Sequence, residues 1–161
     1  EHDTPIGRLL LLADEAGLTE IRFARNEGHD IEAAWADGGA LVREAARQLD
    51  AYFAGTLREF DLPLAAQGTD FMKHVWSELV RIPFGQTLSY GELAQRIGNP
   101  NASRAVGLAN GKNPLPIVVP CHRVIGANGK LTGFAGGLDV KRQLLQHEGG
   151  APSTEATLFA T

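Results

Sequence analysis

The chain has 161 residues, 43% hydrophobic and 21% charged, with a net charge of −4; this balance fits a folded protein with one good-sized core or two small ones and argues against disorder. No apolar run approaches the roughly 18 residues needed to cross a bilayer, and the opening Glu1-His2-Asp3-Thr4-Pro5 lacks the basic and apolar regions of a secretion signal, so a cytoplasmic location is expected. A single cysteine excludes an internal disulfide and a thiolate zinc framework, and no metal site is expected from the scattered His and carboxylates.

The first segment reads as a hairpin: Leu9 to Leu12, a turn at Asp14-Glu15-Ala16-Gly17, then Leu18 to Phe23. A start at Glu1 and not at Met leaves room for a segment upstream. Leu41, Val42, Ala45, Leu49, Tyr52 and Phe53 recur at helical spacing, and Gly55 is placed to end that helix. The breakers in Asp61-Leu62-Pro63-Leu64-Ala65-Ala66-Gln67-Gly68 mark a boundary. The expected organisation is an α+β domain over 1–67, a second domain over 68–150 and a frayed tail over 151–161.

Phe71, Val75, Leu79 and Ile82 predict a helix that stops before the loop Pro83-Phe84-Gly85-Gln86. Ser89-Tyr90-Gly91-Glu92 is a capping box, and Tyr90, Leu93, Ala94 and Ile97 form the predicted buried stripe of the helix it opens. Gly98-Asn99-Pro100 is a turn, and a second helix is predicted from near Asn101 to Gly111. This pair matches a helix-turn-helix, although an ordinary helical hairpin has the same pattern. On the second helix Ala102, Ser103, Gly107 and Ala109 are small beside one long cation, Arg104, a face that would fit either a nucleic-acid groove or another helix.

Ile117-Val118-Val119 predicts a buried strand running into Pro120-Cys121-His122-Arg123. Val124-Ile125 and Leu131-Thr132 flank Asn128-Gly129, a hairpin signal. Gly133, Gly136 and Gly137 surround Phe134-Ala135, a tight loop where backbone can approach a ligand. A last amphipathic helix carries Leu138, Lys141, Leu144 and Leu145 and ends at Glu148-Gly149. Charge divides along the chain: 1–67 holds 6 Lys+Arg against 13 Asp+Glu, whereas 68–149 holds 9 against 5. A basic half can meet a phosphate backbone within an acidic protein, though such asymmetry also arises from ordinary solvated faces.

A lone cysteine is commonly a small buried hydrophobe. Cys121 has a base and a cation beside it in His122 and Arg123, a setting that favours thiolate, and Glu148 could orient the imidazole if the last helix folds back. Two other readings stay open on these residues: a DNA-binding regulator with a structural Cys121, and a cysteine hydrolase.

The run Pro120-Cys121-His122-Arg123-Val124, with Asn113-Pro114 before it and Ile125-Gly126 after it, resembles the O6-alkylguanine-DNA alkyltransferases, or methylated-DNA–protein-cysteine methyltransferases. So do Ser89-Tyr90-Gly91, Ser103-Arg104-Ala105-Val106-Gly107 and His147-Glu148-Gly149, and more weakly Thr4-Pro5-Ile6-Gly7 and Gln48-Leu49-x-x-Tyr52-Phe53-x-Gly55. The resemblance implies an α+β fold, with a small ribonuclease H-like domain followed by a mostly helical, winged-helix-like domain. It implies direct-reversal DNA repair without a cofactor. An alkyl group on O6 of guanine, or O4 of thymine, would pass irreversibly to Cys121 after the nucleotide is flipped out of duplex DNA.

His122 would act as a base through a water, Glu148 would hold the imidazole, and Asn113 would tie the active-site turn to the second helix. Tyr90 would serve the departing base. The carbonyls of Cys121 and Val124 would accept from the guanine amine, with Phe134 and the Ala135 N–H lining the pocket. Ala102, Ser103, Arg104, Gly107 and Arg123 would contact double-stranded DNA through its minor groove, Arg104 filling the gap in the stack. A monomer is expected. Many members have Tyr at Phe134 and some have Ser at Ala135, so this pocket offers fewer hydroxyls. Relatives that bind zinc do so through cysteines absent here, and lesion-sensing relatives have Trp where this chain has Cys121.

Overall fold

Leu9, Leu10, Leu11 and Leu12 are all buried, which a strand achieves only when both its faces are covered. The computed structural model describes residues 2–23, 39–126, 134 and 136–149, and the chain divides into two units, Glu1–Gln67 and Gly68–Thr161. In the first unit, β1 (His2–Thr4), β2 (Gly7–Ala13) and β3 (Leu18–Phe23) form an antiparallel sheet in that order. The hairpin is as expected, with Leu11 opposite Ile21; β1 was not foreseen. The turn is fastened by Asp14, whose Oδ1 accepts from the N–H groups of Ala16 and Gly17.

Helix α1 (Gly39–Phe53) lies against β1 and β2 and buries Ala45, Gln48, Leu49 and Tyr52. Gln48 is a polar residue on that buried side because its amide serves as a backbone surrogate. Its Nε2 donates to the Asp61 carbonyl at 3.0 Å and its Oε1 accepts from the Asp61 N–H at 2.9 Å, so the segment leaving the helix is paired.

The second unit is mostly helical, giving a mixed α+β chain. Its α2 (Asp70–Val80) is capped by Thr69, whose side chain accepts from the Met72 N–H, a bond worth about 1 kcal/mol. Trp76 on α2 donates its indole N–H to the Ala109 carbonyl at 2.8 Å, fixing α2 against α4 (Ser103–Gly111). The capping box forms as expected at α3 (Tyr90–Arg96). Leu93 and Ala94 are buried there, but Tyr90 and Ile97 are only half-buried. The helices are joined by six residues, 97–102, and not by the expected three, because Ala102 still lies outside the helix as its N-cap.

The predicted strand at Ile117-Val118-Val119 is a correction. All three residues are buried, but they form a turn in which the Val119 N–H reaches the Leu115 carbonyl at 2.8 Å. Ile117 takes φ 76, a left-handed conformation that a β-branched residue adopts only under strong tertiary constraint. A short parallel pair joins β4 (Leu88–Ser89) to β5 (Val124–Ile125). Helix α5 (Leu138–Glu148) ends on Gly149 in the left-handed conformation. The Asn128-Gly129 hairpin, Ala135 and the 151–161 tail lie outside the described residues. No described helix is long and apolar enough to cross a membrane.

Candidate active site

Pro120 builds the turn that presents Cys121. Its ring fixes φ, here −79 with ψ 66, and those angles close an inverse γ-turn in which the Cys121 N–H donates to the Val119 carbonyl at 2.7 Å. The next three residues, Cys121–Arg123, wind into one 3-10 turn. Asn113 supports the loop from inside. Its Nδ2 donates to the Val119 carbonyl at 2.8 Å and its Oδ1 accepts from the Leu115 N–H at 2.9 Å. Because Asn113 stands just past α4 and its own N–H bonds the Asn110 carbonyl, it couples the helix to the cysteine loop.

The end of α5 meets that turn. His122 Nε2 lies 2.8 Å from Glu148 Oε2, and Arg123 grips the same carboxylate through Nε at 2.7 Å and Nη2 at 2.9 Å. The third guanidinium nitrogen, Nη1, donates to the Ile82 carbonyl at 2.6 Å, and the guanidinium sits over the Phe84 ring at 5.8 Å. Arg123 is 5% exposed. It was expected on the DNA surface, and this is a correction: its bonding is spent inside the fold, where a buried carboxylate needs a fork-shaped cation.

These partners set the protonation states. Burial opposes ionisation of Glu148, but the adjoining His122 and Arg123 hold its carboxyl well below the usual range. Burial pushes His122 down, so the ring is neutral. A carboxylate only accepts, so Nε2 of that neutral ring carries the hydrogen and Nδ1 keeps its lone pair. Nδ1 has no partner among the described residues. For Cys121 the expectation of a resting thiolate is reversed. Burial pushes the thiol up to about 11, against the opposing pull of the Asn113 side chain and the Lys141 charge.

Tyr90 opens α3, and its ring lies against α4: a Cβ added to Gly107 would stand 3.7 Å from the Tyr90 ring. Arg104 is exposed on the first turn of α4, with Ala102, Ser103 and Gly107 half-buried near it. Ala109 was expected on that exposed face, but it is 2% exposed and turned inward. Phe134 is half-buried, and its carbonyl accepts from the Gly137 N–H. Sequence reasoning passed over Lys141 and Asn110. Lys141 is fully buried and donates to the Val124 carbonyl at 2.7 Å. Asn110 Nδ2 donates to the Cys121 carbonyl at 3.4 Å. The signal for Lys141 was its place on the apolar stripe of the last helix; Asn110 gave none.

Residues 70–150 match the family model described as the 6-O-methylguanine DNA methyltransferase DNA binding domain, and residues 2–66 match that family's ribonuclease-like domain. The chain belongs to the 6-O-methylguanine DNA methyltransferase family. It is 55% identical over 148 residues to the methylated-DNA–protein-cysteine methyltransferase of Methanosarcina acetivorans, covering 91% of this chain and 95% of that one. The Mycobacterium tuberculosis protein of the same name is 50% identical over 157 residues, covering 98% and 95%. Among solved structures, the Mycobacterium tuberculosis O6-methylguanine methyltransferase superposes with a TM-score of 0.82 at 51% identity, covering 98% of this chain and 95% of that one. The crystal structure of Mycobacterium tuberculosis OGT in complex with DNA gives 0.79 at 49%, covering 94% and 92%. Within the methyltransferase family fold, Cys121, His122, Arg123 and Glu148 all fall in the DNA-binding-domain match.

Proposed function

We infer that this chain repairs DNA by direct reversal: it takes the alkyl group from O6-alkylguanine onto Cys121, once per molecule, and is thereby inactivated. The observation that carries this reading is the buried Cys121 beside an imidazole whose Nε2 is committed to Glu148 at 2.8 Å. On this reading Cys121 is the nucleophile, His122 its base and Glu148 the group that orients the base.

The chemistry is a displacement at carbon. The Cys121 thiol gives its proton to His122 Nδ1 through a bridging water. Sulfur then bonds the alkyl carbon as the bond from that carbon to O6 breaks, and the electron pair leaves with guanine. The Tyr90 hydroxyl supplies a proton to the departing base and is restored from the imidazolium. The product is a neutral thioether, which is no leaving group, so turnover ends there. No cofactor enters this balance.

A stacked base does not offer its substituent to in-line attack, so the nucleotide must leave the duplex. Exposed Arg104 is suited to fill the vacated stack. The half-buried Ala102, Ser103 and Gly107 would let α4 approach the minor groove closely. We assign O4-alkylthymine as a second substrate, a monomer as the acting form, and the cytoplasm as its location. The test is intact mass after exposure to excess O6-methylguanine duplex. Wild-type protein gains one methyl, on the peptide holding Cys121, and stops; Cys121→Ser gains none. Turnover, or a methyl on another residue, contradicts the assignment.

A further inference from the structure

Ile117 precedes Cys121 in the same buried loop, with φ 76 and only 1% of its surface exposed. The left-handed region crowds a β-carbon against the following carbonyl, and a branched side chain fits there worst, so chains ordinarily place glycine or asparagine at such a turn. A buried isoleucine keeps this conformation only because its surroundings over-determine it.

What the conformation holds is a short chain of bonds that ends at the backbone of Cys121. The turn closes where the Val119 N–H donates to the Leu115 carbonyl at 2.8 Å. That reversal points the Val119 carbonyl at two donors, the Cys121 N–H at 2.7 Å and Asn113 Nδ2 at 2.8 Å, which occupy both of its lone pairs. Leu115, Val118 and Val119 are all buried, so water does not stand in for a lost partner. With Ile117 in an extended or right-handed conformation the chain would leave the turn in another direction, and these three bonds could not be made together.

We propose that Ile117 is a positioning residue for Cys121: its left-handed backbone, anchored by a buried branched side chain, aims the Val119 carbonyl and through it fixes where the sulfur stands. The effect on the rate of transfer rests on the alkyl-transfer reading above. The backbone angle, and not only the bulk of the side chain, is then what matters.

Ile117→Ala and Ile117→Gly tell angle from bulk. Both empty the site, and glycine empties it further while loosening the unfolded chain, so a role in packing alone ranks Ile117→Gly at or below Ile117→Ala. A left-handed turn reverses that order, because glycine has no Cβ to clash. The readouts are the thermal midpoint and the single-turnover rate of benzyl transfer from free O6-benzylguanine, followed by intact mass well below both midpoints. Ile117→Gly is expected to melt about 3 °C above Ile117→Ala. Ile117→Ala is expected to transfer about tenfold more slowly than wild type, since a displaced nucleophile loses its alignment, and Ile117→Gly to recover most of that loss. An Ile117→Gly protein that melts at or below Ile117→Ala, or transfers no faster, would overturn the proposal. Failure of both variants to fold would overturn it too, leaving Ile117 a packing residue; a folded Ile117→Gly beside an unfolded Ile117→Ala would support it. Wild-type protein that takes no benzyl group would overturn the alkyl-transfer reading, and the order of the midpoints would still decide whether the angle at Ile117 holds the turn.

Discussion

At Cys121 the resting fold holds a protonated thiol and a neutral imidazole, so the nucleophile has to be made on demand. Burial is the cause, and it sets a sign that can be measured. A thiol pushed up to about 11 is ionised to about one part in ten thousand at pH 7. Iodoacetamide should therefore label the free protein slowly at neutral pH, with a rate that climbs as pH rises toward 11; a plateau below pH 8 would show a resting thiolate instead. His122→Ala and Glu148→Gln should leave that alkaline profile in place yet slow transfer from methylated duplex by about a hundredfold or more, the usual contribution of a positioned base. Glu148→Gln also leaves Arg123 without its carboxylate, so its thermal midpoint should be recorded alongside.

At the scale of elements, the proposed reading gives α4 the handling of DNA and leaves the chemistry to the cysteine turn. Arg104 is exposed on the first turn of α4, while Val106, Ala109 and Asn110 anchor its inner side. Arg104→Ala should slow repair of duplex by about tenfold or more, roughly 1.4 kcal/mol on the rate scale, and should scarcely change reaction with free O6-benzylguanine. Equal losses on both substrates would make Arg104 a structural residue. The helix itself was legible in the sequence, as were the capping box and the hairpin, because each depends on neighbours within a few positions. The Ile117 to Val119 segment was not: β-branched apolar residues signal burial, and burial in a turn looks the same as burial in a strand. Arg123 misled for a related reason. A cation in a DNA-repair motif suggests phosphate, and only the return of α5, 25 residues on, shows that its partner is Glu148. The meeting of His122 and Glu148 was readable from chemistry as soon as the last helix was allowed to fold back.

For the whole molecule, the product state differs from the substrate state by one methyl group placed where Cys121 is 6% exposed. Overpacking a filled site costs about 1 to 3 kcal/mol. Fully methylated protein should melt several degrees lower and be cut faster near Asn110 to Pro114 than unmodified protein; coincident melts and digestion courses would show that the pocket takes the methyl without strain. The same burial has a consequence before any lesion is met. A single-use acceptor can also be consumed by oxidants, since peroxides and disulfides react with thiolate and scarcely with thiol. Keeping the sulfur protonated and enclosed protects it from sulfenic acid formation and mixed disulfides. Each molecule can then wait through long intervals of oxidative exposure with its one reactive equivalent unspent.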